Sequence, residues 1–107
     1  MTDEIINNRL QTLSLEYRSF VESDFISLAA ASFAEFHGFN ERQTEVLENA
    51  ITFYLLFFFN DVDTTAFIAQ NCGLSLLEAG ELFLAIQSSL PEAVSYTHLT
   101  LPTNREV

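Results

Sequence analysis

At 107 residues the chain has room for one modest hydrophobic core and no second independent domain. Its 15 acidic side chains face only 4 basic ones, all arginine, for a formal charge of -11. That field repels phosphate backbones and anionic lipid heads and favours soluble behaviour or a basic partner. With 49% hydrophobic residues and 11 phenylalanines, the composition also excludes an intrinsically disordered body.

The opening MTDEIINNRL carries two acids before its first arginine and no unbroken apolar segment, the opposite of a signal peptide. Cys72 is the only cysteine, which rules out an intramolecular disulfide and fits a reducing, cytoplasmic setting. The greasiest stretch, AITFYLLFFF from Ala50 to Phe59, would rise only about 15 Å as a helix. A bilayer core is about 30 Å thick, so no transmembrane segment is expected.

Glycine and proline are scarce and alternation is never sustained, so an all-α fold is predicted, a compact bundle of four or five short helices. The first helix is predicted over residues 3–20, with Ile6, Leu10, Leu13, Tyr17 and Phe20 on one stripe. Ser23 or Asp24 is positioned to cap a second helix whose apolar face reads Phe25, Leu28, Ala29, Phe33 and Phe36. Gly38 can end it in the left-handed conformation, with Phe39 folding back on the last turn. Asn40 and Gln43 then form a capping box that starts a third helix, predicted over residues 41–59. Its inner face is Val46, Leu47, Ala50, Ile51, Tyr54 and Phe57 or Phe58.

The C-terminal half of that third helix is apolar on nearly every side. Either the other helices surround it or a partner covers it, which makes Phe53, Leu56, Phe57 and Phe59 the candidate interaction surface. The expected occupant is an unidentified protein partner or a second copy of the chain.

Asp61 or Asp63 is read as the N-cap of a fourth helix over residues 64–72, which Gly73 terminates. Ser75 caps a fifth, with Glu78 completing a second capping box. It runs through Leu76, Ala79, Leu82, Phe83 and Ile86 to about Leu90, where Pro91 stops it.

Ala69, Gly73, Ser75, Ala79 and Leu82 are spaced as in the two-helix unit of helix-turn-helix proteins, which residues 65–84 resemble. The resemblance implies that Ser75 to Ser89 is the recognition helix. Its leading residues are Ser75, Leu76, Leu77 and Glu78, and the helix holds no Arg or Lys, so nucleic acid is disfavoured as a partner. A regulator whose DNA-binding surface is missing or lost is the alternative reading. His37, Gly38, Phe39, Glu41, Gln43 and the Gly73-Leu74 corner also resemble small acidic helical domains of uncharacterised bacterial proteins, a likeness of fold that transfers no site.

No constellation points to catalysis, a cofactor or a metal. In the last turn of its helix His37 suits an interaction of the imidazole with the helix carbonyls, Asp61 and Asp63 suit capping, and Cys72 lacks a neighbouring base. The acid pairs Glu45/Glu48 and Glu78/Glu81 have no histidine at a ligand spacing. The expected class is therefore a non-enzymatic interaction or self-association module. A third reading, a protein lying on a membrane surface through Phe57-Phe58-Phe59, is disfavoured by the absence of lysine.

Up to Glu92 the residues follow helix grammar, and SYTHLTLPTNREV does not. The run VSYTHLTLPT resembles the translation of a transposase-type sequencing adapter, with Asn104, Arg105 and Glu106 where a variable index would be read and Val107 before a stop. That resemblance implies a native domain over residues 1–93, truncated at its C-terminus, and a non-native, disordered tail over residues 94–107.

Overall fold

Ser14 divides the first predicted helix. In the computed structural model, which describes residues 3–92, 94 and 95, α1 covers Asp3–Gln11 and α2 covers Leu15–Val21. Between them Ser14 has extended backbone, and its hydroxyl accepts the Tyr17 N–H at 3.2 Å. A serine that caps a new helix cannot also continue an old one, because its backbone has left the helical region. The stripe nonetheless survives the break: Leu10 and Tyr17 are buried, and Ile6, Leu13 and Phe20 pack against the core.

Helix α3, Phe25–His37, ends as predicted at a left-handed Gly38 with φ 68°, and the Phe39 N–H reaches back to the Ala34 carbonyl at 2.8 Å. Its buried face matches the predicted one in part: Ala29 is buried and Phe25 and Phe33 pack against the core. Ile26, Ala29, Ala30 and Ala34 point inward, whereas Leu28 and Phe36 lie on the surface, Phe36 at 84% exposure. Small alanines let two helix axes approach closely, and α3 packs on α4.

Helix α4, Glu41–Leu55, begins at the predicted capping box, with reciprocal Asn40 and Gln43 bonds of 2.8 and 2.9 Å. It ends four residues earlier than predicted. Phe57 adopts φ 68°, and the Phe58 N–H returns to the Phe53 carbonyl at 2.9 Å, the closing bond of a left-handed helix terminus. A bulky aromatic residue in this conformation is costly, so no local signal marks the stop.

Helix α5, Asp61–Cys72, starts three residues before its predicted beginning, because Asn60 is the N-cap and Asp63 is its N3 partner in a third capping box. Gly73, at φ 73°, ends it, and the Leu74 N–H bonds the Ala69 carbonyl at 3.0 Å. The Ser75–Glu78 capping box, 3.0 Å in both directions, opens α6, Leu76–Ser89.

The described residues thus form an all-helical domain of six helices, one more than the upper expectation, because Ser14 splits the first. Helix α4 is central: it packs on α3 and α5, and α5 packs on α6. Leu47, Ala50, Leu55, Leu56, Ile68 and Ala79 are wholly enclosed. No described helix is long and apolar enough to cross a membrane.

The expected domain boundary after residue 93 falls beside a buried side chain. Val94 lies in the core, and the N–H groups of Val94 and Ser95 both reach the Pro91 carbonyl at 3.0 Å. Residues 96–107, where the rest of the expected disordered tail falls, lie outside the described residues.

Candidate functional site

The four candidate residues Phe53, Leu56, Phe57 and Phe59 meet at one corner, where α4 ends and the chain turns toward α5. Leu56 is 0% exposed, and the three phenylalanines are half-buried. Phe53 meets Phe58 and Phe59 edge to face, with centroids 6.4 and 5.4 Å apart, and Phe59 tilts against Phe67 of α5 at 5.3 Å. These separations suit attraction between ring edges and ring faces. The aromatic content that suggests an outward surface is largely committed to internal packing.

Two polar groups from the N-terminal helices complete the corner. Tyr17 stacks on Phe57 with centroids 5.6 Å apart, and its hydroxyl donates to the Leu55 carbonyl at 2.7 Å. Arg9 donates from Nη1 to the Leu56 carbonyl at 2.7 Å while its guanidinium lies 4.4 Å from the Phe58 ring centroid. A helix C-terminus leaves carbonyls unpaired and carries partial negative charge, so a cation and a hydroxyl placed there satisfy both needs. Arg9 adds a cation–π contact to the same aromatic group. Burial, with a smaller contribution from Tyr54, raises the Tyr17 phenol well above its ordinary pKa.

A different apolar surface is open. Helix α6 turns Ala79, Leu82, Phe83 and Ile86 inward at helical spacing. Its other side carries Leu76, Leu77 and Leu84, exposed at 67%, 73% and 63%. Between this side and the start of α5 runs an open groove of about 340 Å³, lined by Leu76, Leu77, Gly80, Phe83 and Leu84, with Asp61 and Glu81 on its margins and Thr65 and Gln87 beside them. Gln87 donates from Nε2 to the Tyr54 hydroxyl at 3.0 Å, tying α6 to α4 beneath the groove. Burial raises the Tyr54 phenol pKa, the Gln87 bond opposes that rise, and the Asp61 charge adds to it.

A second cleft, of about 380 Å³, lies on the opposite flank of α6 between Phe36, His37 and Leu74 and the acids Glu78 and Glu81. His37 meets Phe36 edge-on at 5.2 Å and tilts against Phe39 at 5.5 Å, so it packs among rings rather than on the helix carbonyls. Among the described residues no group of histidine, cysteine and acidic side chains is arranged to hold a metal ion. Asp63 is committed to the capping box of α5 as the N3 partner of Asn60, and Glu48 accepts the Ser27 hydroxyl at 2.6 Å. Cys72 is buried, its Sγ lies 3.7 Å from the Gln43 carbonyl, and burial pushes the thiol pKa up, away from the thiolate a nucleophile requires.

The outer leucines of α6 are legible in principle. The criterion that singles out the end of α4, an apolar residue on every side, applies equally to Leu76, Leu77, Leu82, Phe83 and Leu84. No family model matches this chain, and no curated protein or solved structure matches it either.

Proposed function

We propose that this domain is a protein–protein interaction module, without catalytic activity, that docks a partner through the outer side of α6 and the groove beside α5. The observation that carries this reading is the cluster of three exposed leucines, Leu76, Leu77 and Leu84, beside an open apolar groove. A helix that is apolar on all sides favours burial on all sides, and scattered single exposures need no explanation, but grouped ones do. This moves the docking face from the Phe53–Phe59 corner to α6, because Leu56 is enclosed and the phenylalanines pack on one another.

A DNA-binding role is not favoured. The exposed groups at the start of α6 are Leu76, Leu77, Glu78 and Glu81, and no Lys or Arg occurs between Arg42 and Arg105. Such a helix would bring acids to a phosphate backbone.

The test is site-specific photo-cross-linking in cells, with a benzophenone side chain at position 77 or 84 and, as control, at position 28, which is exposed on α3. A discrete adduct at 77 and 84 but not at 28 is expected. Equal, diffuse labelling at all three positions would reject the module reading.

A further inference from the structure

We infer that the occupant of the α5–α6 groove is a basic amphipathic helix from another protein, an inference that rests on the module reading and adds the partner's chemistry. Leu77, Gly80, Glu81 and Leu84 stand at positions i, i+3, i+4 and i+7 of one helix, the four residues that form a hole for a side-chain knob from a facing helix. Gly80 leaves the floor of that hole without a side chain, and the space above it is open: a Cβ added there would meet nothing within 4 Å. An aliphatic knob seated between Leu77 and Leu84 is the natural filling, and a helix supplies further knobs at the same spacing.

Charge selects the kind of helix. Asp61 and Glu81 border the groove, and Glu78 stands on the other flank of α6. No cation comes from α5 or α6 to offset them, because the chain holds no Lys or Arg between Arg42 and Arg105. A partner with arginine or lysine flanking its apolar stripe places opposite charge on this margin, whereas a second copy of the chain brings another -11 and the same acids.

The experiment is fluorescence anisotropy with the full chain and a labelled helical peptide of leucine, alanine and arginine, its leucines at i, i+3, i+4 and i+7. Two companion peptides replace the arginines by glutamate or the leucines by serine. Binding of the first peptide, weakening with salt and lost with either companion, is expected. Leu77→Ser/Leu84→Ser, Gly80→Leu and Asp61→Asn/Glu81→Gln should each weaken it by roughly tenfold or more, with helicity retained, while Leu28→Ser leaves it unchanged. Equal binding of the serine peptide, or full binding by Leu77→Ser/Leu84→Ser, would overturn the inference by showing attraction to charge alone. Preference for the glutamate peptide would overturn it too. A dimer in sedimentation that Leu77→Ser/Leu84→Ser abolishes would assign the groove to a second copy, and a cross-link from position 77 to residues 96–107 would assign it to the chain's own terminus; either overturns the inference. Adducts at 77 and 84 without basic-peptide binding would leave the module reading standing and remove only the basic partner.

Discussion

The end of α4 and the outer side of α6 are written in nearly the same alphabet, yet they do opposite things. Around Phe53 to Phe59 the apolar side chains turn on one another and are sealed by Tyr17 and Arg9 from the N-terminal helices. Around Leu76 to Leu84 half the apolar side chains enter the core and the other half face outward. The difference lies in the path the chain takes. The turn at Phe57 folds the α4 run back on itself, whereas α6 runs through its apolar residues without a turn and buries only one side, against α5 and Tyr54 of α4. Hydrophobic density in a sequence therefore measures how much surface needs cover without saying whether the chain supplies it.

If the α4 corner is core, breaking it should be severe. Leu56→Ala should cost about 2–5 kcal/mol in urea unfolding, since the side chain is wholly enclosed; a loss below about 1 kcal/mol would show that the corner is loosely packed and erase the contrast. Tyr17→Phe should cost about 1–3 kcal/mol, because the buried Leu55 carbonyl loses its hydroxyl donor. The same variant sharpens the comparison through pH. The Tyr17 pKa is raised in the folded state, so its contribution is fully present below the unfolded value near about 10 and is lost as pH rises beyond it. Alkaline titration of stability should therefore fall less steeply in Tyr17→Phe, with the Tyr54 contribution remaining.

Arg9→Ala should follow at about 1–2 kcal/mol, losing a charged donor at a helix end and a cation–π contact. Arg9→Lys should recover part of it, as measured by thermal unfolding. Gly73→Ala should cost about 1 kcal/mol: an added Cβ would have open space, so the loss isolates the strain of φ 73° at the start of the α5–α6 turn. At the bottom of the scale, Leu77→Ser and Leu84→Ser should change stability by less than about 0.5 kcal/mol each. A large loss there would mean that the leucines support the fold, and the two regions would be alike.

Much of the architecture is legible because its signals are local. Asn40 with Gln43, Ser75 with Glu78, and the glycines at 38 and 73 each satisfy backbone groups within a few residues, so the helix ends they mark agree between sequence and structure. Asn60 with Asp63 obeys the same grammar, but the two aspartates nearby compete for the cap assignment and hide it. Ser14 escapes notice because the apolar stripe runs through it unbroken, and periodicity does not register a change of axis. The inward face of α3 is misleading for another reason: large residues outweigh alanines in a hydrophobicity pattern, whereas close helix packing selects the small ones.

The all-helical class, most of the helix ends and the acidic exterior are fixed by the order of amino acids alone, since backbone capping acts over a few residues and charge count does not act through geometry at all. Packing in three dimensions settles the rest: that α4 stops at a left-handed Phe57, that Arg9 and Tyr17 close that stop from more than thirty positions away, and that α6 rather than α4 carries the open leucines. Those outcomes depend on which surfaces meet when the helices come together. Burial is a property of the pair in contact and of neither helix alone.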